Sequence, residues 1–210
     1  MRGLFDPDSK LFSLLNKMTL LMELNLCVLL GCLPIITAGA SLCAMHTVLL
    51  KVYREEEKHI LEDFLRAVKA NLKNGTVLWL LFLGYLGALT VFWFFAASQN
   101  PEAAAYVLYG LLLATVLGLL YVNWALILLS RYVYTVPQCL KYAVLAWLKY
   151  PGSTFVYLVS LLVPGVFFFS LKALPMILLG GITLPHMIST TLYSQVFDQM
   201  EGLPPRIPKL

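Results

Sequence analysis

The sequence predicts an all-α, polytopic membrane protein with about six transmembrane helices and two cytoplasmic interfacial amphipathic helices. Hydrophobic residues make up 60% of the 210 residues and charged residues only 12%, whereas a soluble domain carries about 25% charged residues. The apolar residues fall into six windows, at 18–36, 38–53, 75–97, 104–129, 152–171 and 173–193. Four windows reach the ~20 residues that a helix needs to cross a bilayer, and the first falls just short. The whole chain, 1–210, is therefore predicted to be one membrane domain.

The distribution of lysine and arginine predicts the orientation of these windows. If all six cross and the N-terminus is cytoplasmic, 14 of the 15 lysine and arginine residues lie inside and only Lys172 lies outside. A rival interpretation leaves the short window 38–53 non-spanning. With the C-terminus kept inside, that interpretation puts 11 of these residues inside and 4 outside. Because cytoplasmic loops carry the excess of positive charge, the first arrangement is favoured, with 1–17 and 198–210 in the cytoplasm of a cell-membrane protein.

Two helix-breaking residues predict a turn between the first two windows. Pro34 and Gly39 both break a helix, and together they allow the chain to reverse tightly between the windows 18–36 and 38–53.

Two stretches between windows, 59–73 and 136–150, have the periodicity of amphipathic helices. In the first, apolar residues recur at helical spacing and charged residues take the other face. The second repeats this pattern, with lysines near its ends. Both are predicted to lie in the membrane interface. Their apolar positions are Ile60, Phe64, Val68 and Leu72 in the first and Leu140, Val144, Trp147 and Leu148 in the second.

The charged face of the first interfacial helix is a candidate docking surface. It carries Arg66, Lys69 and Lys73, and it follows the acidic run at 55–57. One interpretation is a plain interfacial linker, and the other is a surface that a cytoplasmic partner reads through its charges. The pattern leaves both open.

Four polar residues inside the apolar windows are candidates for an intramembrane site: Glu23, Asn25, Asn123 and His186. An ionisable group near the membrane centre costs ~2.5–3.5 kcal/mol or more, so it is usually kept for function. The alternatives are that Glu23 reaches the interface or pairs with Lys17, that Asn25 makes an interhelical hydrogen bond, and that His186 is a packed histidine, like His46 in the second window.

Several classes of protein find no support in the sequence. It contains none of the HExxH, GxSxG, Walker or GxGxxG patterns, so no catalytic, cofactor or metal-binding residue is predicted and the protein is not expected to be an enzyme. The net charge of +4 fits contact with anionic lipid headgroups, since no basic patch is separate from the membrane edge. The expected partner is the lipid bilayer, without nucleic acid.

One set of residues resembles a known family over roughly residues 4–95. The residues concerned are, in chain order, Leu4, Phe5, Phe12, Leu15–Lys17, Glu23–Leu26, Gly31–Ala40, Tyr53–Glu56, Asp63, Phe64, Ala67, Lys69, Asn71, Lys73, Thr76 and Trp79. Through them the sequence resembles the YesL-like family of bacterial integral membrane proteins, whose activity is not established.

The resemblance implies an association with carbohydrate-uptake systems of the ATP-binding-cassette type, whose subunits would be the partners. Two functions are thus expected. The favoured one is a non-enzymatic accessory or regulatory membrane protein, and the alternative is a small transporter or channel acting on its own. A transporter should bring polar residues together at mid-membrane from several spans. The sequence gives no oligomeric state.

Overall fold

The computed structural model describes residues 10–54, 59–99, 104–168 and 180–202, and these ranges form helices without a β-strand. The all-α fold class is therefore confirmed. A 3₁₀ turn at Ile35–Thr37 separates the first two helices. The helices are α1 (Lys10–Cys32), α2 (Ala38–Arg54), α3 (Ile60–Gln99), α4 (Ala104–Arg131), α5 (Val136–Lys149), α6 (Pro151–Phe168) and α7 (Thr183–Met200).

Four of these helical segments are long and apolar enough to cross a membrane: Leu15–Cys32, Ile35–Arg54, Ile60–Gln99 and Ala105–Arg131. They coincide with the first four predicted windows, including the short window 38–53, which the 3₁₀ turn lengthens. Crossing by the fifth and sixth windows remains a prediction. Residues 169–179, which include Lys172 and the ends of both windows, lie outside the described residues, as do 1–9 and 203–210 of the predicted cytoplasmic termini.

The predicted tight turn between α1 and α2 is confirmed. Hydroxyl groups hold the hairpin together, since Ser41 Oγ donates to the Gly31 carbonyl at 2.7 Å and Thr37 Oγ1 donates to the same carbonyl at 3.2 Å. At its tip, Leu33, Ile35 and Ile36 are between 62% and 74% exposed. A tip of large exposed apolar side chains is suited to lipid rather than to water.

The boundary predicted between an interfacial helix at 59–73 and a span at 75–97 is wrong, because α3 runs through it without a break for 40 residues. At 1.5 Å per residue this helix is about 60 Å long, twice the hydrocarbon thickness of a bilayer. Gly75 costs a helix only about 1 kcal/mol. Gly75 lies where α2 crosses α3, within contact distance of Gly39 and Ala40, and a larger residue there would push the two helices apart.

The two halves of α3 have different neighbours. The charged half, 60–74, lies beside α2, where Lys51 meets Asp63, and its Ile60, Phe64 and Ala67 are buried against α1 and α2. The apolar half pairs with the start of α4, where Tyr85 donates to the Ala114 carbonyl at 2.8 Å. Large apolar side chains on this two-helix arm are exposed, as lipid-facing residues are: Val91, Phe94, Phe95, Tyr106 and Tyr109.

The second predicted amphipathic stretch, 136–150, is a helix within one residue of its predicted bounds. It begins with a capping interaction in which the Thr135 N–H donates to Gln138 Oε1 at 2.9 Å. The helix packs through the small residues Cys139, Ala143 and Ala146, and it leaves Leu145 and Leu148 exposed. Its place in the interface remains a prediction.

Candidate functional site

A buried polar network joins α2, α4, α6 and α7. His46 on α2 and His186 on α7 lie with ring centroids 5.4 Å apart, and the ring of Tyr157 on α6 lies 5.4 Å from that of His186. All three side chains are buried. His186 Nδ1 is 2.7 Å from the Ile182 carbonyl oxygen, and because a carbonyl only accepts, Nδ1 carries the proton.

The network continues from the histidines to α4. Asn123 interacts with His46, and its Nδ2 donates to the Tyr193 hydroxyl at 3.3 Å. The rings of Trp124 and Tyr193 pack edge to face at 5.1 Å. Buried polar groups of this kind are tolerated when they bond to one another, and they fix the mutual orientation of the helices that carry them.

Polar pairs connect α6 to α7 and to α4. Ser160 Oγ and Ser189 Oγ are 2.9 Å apart, and Trp124 Nε1 donates to Thr154 Oγ1 at 2.8 Å. These groups are buried, so each bond replaces water that the interior excludes.

Asn25 performs a different task, at the start of α7. Its Oδ1 accepts the backbone N–H groups of Ile182 at 3.1 Å and Thr183 at 3.4 Å. Thr183 Oγ1 donates in return to the Leu21 carbonyl at 2.9 Å. The first N–H groups of a helix have no partner within it, so α1 supplies the cap that α7 lacks.

The structure therefore brings together three of the four predicted polar residues. Asn123 and His186 belong to the buried network. Asn25, on α1, caps the start of α7, one turn of α7 before His186. Glu23 is exposed on α1, on a different face from Asn25, which favours its interpretation as an interfacial residue. Sequence reasoning missed Tyr157, Tyr193, Ser160 and Ser189, because single hydroxyl residues in apolar helices give no pattern until the helices are packed.

Among the described residues, three ion pairs at the charged end of the bundle connect α2 to α3, α2 to α7, and the end of α4 to the residue after α7. Lys51 Nζ is 2.6 Å from Asp63 Oδ1, and Arg54 Nη2 is 3.4 Å from Asp198 Oδ1. Arg131 binds both carboxylate oxygens of Glu201, at 3.1 and 3.0 Å. These hydrogen bonds from Arg131 hold the pKa of Glu201 below its usual value. The predicted tail at 198–210 thus begins with two carboxylates that are packed against the protein.

The predicted docking residues Arg66, Lys69 and Lys73 are exposed on the charged half of α3. Arg66 also lines a polar cavity of about 410 Å³ between α3, α2 and the end of α4. Across the described ranges, no three histidine, cysteine, aspartate or glutamate side chains are grouped as metal ligands.

The fold and this interior define an all-helical protein of the membrane. Residues 18–93 match the model of a protein family whose description is "Protein of unknown function, DUF624". The match covers most of α1, all of α2 and most of α3, and so includes the crossing at Gly39 and Gly75. No curated protein and no solved structure matches the chain. The more specific attribution to the YesL-like family remains a prediction.

Proposed function

We propose that this is a non-enzymatic accessory membrane protein, which assists or regulates another membrane system through the charged half of α3. One observation carries this proposal. The apolar half of α3 and the charged half belong to a single continuous helix, and the charged half exposes Glu62, Arg66, Lys69 and Lys73. A helix of this kind connects the membrane-facing arm rigidly to a charged surface outside the hydrocarbon.

The charged half is also held in place on its other side. Ile60 and Phe64 are buried against the α1–α2 hairpin, and the Lys51–Asp63 ion pair spans α2 and α3. The exposed face is thus presented in one fixed orientation. A partner that binds a preformed surface loses less conformational entropy than one that must order it.

The proposed partner is a subunit of a carbohydrate importer of the ATP-binding-cassette type. This choice comes from the resemblance of the sequence to the YesL-like family. The charge of the surface adds a condition, since three basic groups on one helix favour a partner with an acidic patch.

The proposed orientation puts the N-terminus and the charged half of α3 in the cytoplasm. If both α1 and α2 cross, their hairpin returns the chain to the side on which it starts, so the N-terminus and the charged half of α3 lie on the same side. We expect a single cysteine at position 10 of a cysteine-free variant to resist a membrane-impermeant reagent in intact cells. Labelling there would contradict the orientation.

Reversing two charges on the surface should release the partner. The variant Arg66→Glu with Lys69→Glu replaces two attractive contacts by repulsive ones, and like charges across an interface cost several kcal/mol. We expect the tagged variant, purified from native membranes, to lose at least one protein that co-purifies with the wild type.

The matched control is Lys141→Glu, which changes an exposed lysine on α5. Both sets of changes weaken attraction to anionic lipid, by about 1 kcal/mol per basic residue, and only the first touches the proposed surface. Equal recovery of the same proteins by all three forms would show that 60–74 is a linker.

The buried polar network favours a second candidate, a small transporter. Polar side chains from α2, α4, α6 and α7 converge there, as a substrate path requires. If this function holds, Asn123→Leu should abolish uptake of a mono- or disaccharide by proteoliposomes. Glu23→Gln is the control that should leave it unchanged, since Glu23 is exposed and outside the network. Absence of uptake by the wild-type protein would exclude this candidate for those sugars.

A further inference from the structure

Two cavities follow each other along the same face of α3. The polar cavity that Arg66 lines ends at Asn74, and an apolar cavity of about 460 Å³ begins one turn later, at Leu78. Within the polar cavity the α3 wall runs through Asp63, Ala67 and Asn74, and within the apolar cavity it continues through Leu81 and Tyr85. These residues are three, four or seven apart, which keeps them all on one side of the helix.

The polar cavity carries an excess of positive charge. Of its lining residues, Lys51, Arg66 and Arg131 are cations and Asp63 is the anion. Lys51 is committed to Asp63 and Arg131 to Glu201. Among the described residues, no carboxylate forms an ion pair with the Arg66 guanidinium. A guanidinium offers a fork of N–H donors that fits a phosphate group.

The apolar cavity has the opposite chemistry. Its walls are Leu78, Leu81 and Phe82 of α3, Leu117 and Val122 of α4, and Leu140 of α5. Its two tyrosines are already engaged, because Tyr85 donates to the Ala114 carbonyl and Tyr121 donates to the Leu140 carbonyl at 3.0 Å. A groove without free polar groups, in the apolar half of a membrane helix, fits a hydrocarbon chain.

The junction of the two cavities lies where α3 changes character. Lys73 is the last charge before the apolar half, and Asn74 Nδ2 donates to the Tyr134 carbonyl at 3.2 Å just beyond it. The rings of Tyr132, Tyr134 and Tyr142 stack in series beside this point, at 5.2 and 5.1 Å. Tyrosine is enriched at the depth of lipid headgroups, so the polar cavity opens at that depth.

We propose that the two cavities together bind one anionic phospholipid, with its phosphate against Arg66 and an acyl chain along Leu78, Leu81 and Leu117. The polar cavity alone fits any phosphate group. The apolar cavity, which begins one turn further along α3, would favour a lipid over a free phosphate compound.

The test uses the full chain purified in a neutral detergent. Three probes are titrated: phosphatidylglycerol, phosphatidylcholine with the same acyl chains, and glycerol 1-phosphate, with binding followed by thermal shift and by lipid adducts in native mass spectrometry. We expect phosphatidylglycerol to bind on the order of tenfold more tightly than phosphatidylcholine, since the Arg66 contact is charge-assisted. Glycerol 1-phosphate should bind far more weakly than either lipid.

Two variants separate the cavities and one serves as control. Arg66→Gln should weaken phosphatidylglycerol about tenfold and remove its advantage over phosphatidylcholine. Leu81→Trp, which fills the apolar cavity, should weaken both lipids and leave glycerol 1-phosphate unchanged. Lys69→Gln is the control, because Lys69 lies on the same helix outside the lining of the polar cavity.

Three results would overturn the proposal. Equal affinity for the two lipids would show that the headgroup charge is not recognised. A loss with Lys69→Gln as large as with Arg66→Gln would show general attraction to a basic surface. Competition by glycerol 1-phosphate as strong as by phosphatidylglycerol would assign the site to a soluble phosphate compound. None of these results decides whether a protein docks on α3.

Discussion

Replacing Gly39 by alanine should destabilise the protein by about 2 kcal/mol, within the usual range for overpacking. A Cβ atom on Gly39 would lie 2.3 Å from the Gly75 carbonyl oxygen and 2.4 Å from Trp79 Cβ. One of these neighbours is backbone, so relief requires α2 and α3 to move apart. The loss should appear in the free energy of unfolding, measured by titration with sodium dodecyl sulfate and followed by circular dichroism.

Gly84→Ala is the matched control for this prediction. Gly84 also lies within α3, but nothing is found within 4 Å of the position that its Cβ would take. Both substitutions gain the same helix propensity, about 1 kcal/mol, so their difference isolates the close approach of the helices. If the two variants unfold alike, α2 and α3 are not in backbone contact at Gly39.

Breaking the buried pair between Arg54 and Asp198 should have the largest effect of all, a loss of about 3–5 kcal/mol. The side chain of Arg54 is 6% exposed and that of Asp198 is 1% exposed. Arg54→Gln leaves the Asp198 carboxylate without a cation in a place that water does not reach. The same unfolding titration measures the loss.

Two further variants show that the loss comes from an uncompensated charge. Arg54→Met combined with Asp198→Leu removes both charges and should recover most of the stability. Lys51→Met breaks the Lys51–Asp63 pair, whose lysine side chain is 33% exposed, and should cost about 1 kcal/mol or less. A loss for Arg54→Gln no greater than that for Lys51→Met would contradict the burial of the pair.

The helical fold and the helical segments long enough to cross a membrane were predictable because they depend on local properties. The first four windows are apolar enough to mark four long helical segments, and no packing is needed to see this. The turn at Pro34 was predictable for the same reason. By contrast, the separation of 59–73 from 75–97 was wrong, because a change from a charged to an apolar face does not end a helix, and α3 runs through it.

The candidate site was only partly predictable. Asn123 and His186 stand out in the sequence because an amide and an imidazole are rare in apolar windows. Tyr193 and Ser189 do not, and their inclusion depends on how α7 packs against α4 and α6. Glu23 drew the same attention as His186, yet it faces outwards, since one position along a helix turns a side chain by about 100°.

Because α3 is uninterrupted, its apolar and charged halves tilt together about the point where Gly75 meets Gly39. The charged half, from Gly75 to Ile60, is about 22 Å long. Tilting the apolar half by about 10° therefore moves Ile60 by roughly 4 Å, because the helix has no hinge between them. A bilayer of different thickness favours a different tilt of the apolar half, and the charged half can follow it only if the α1–α2 hairpin, against which Ile60 and Phe64 are buried, moves with it.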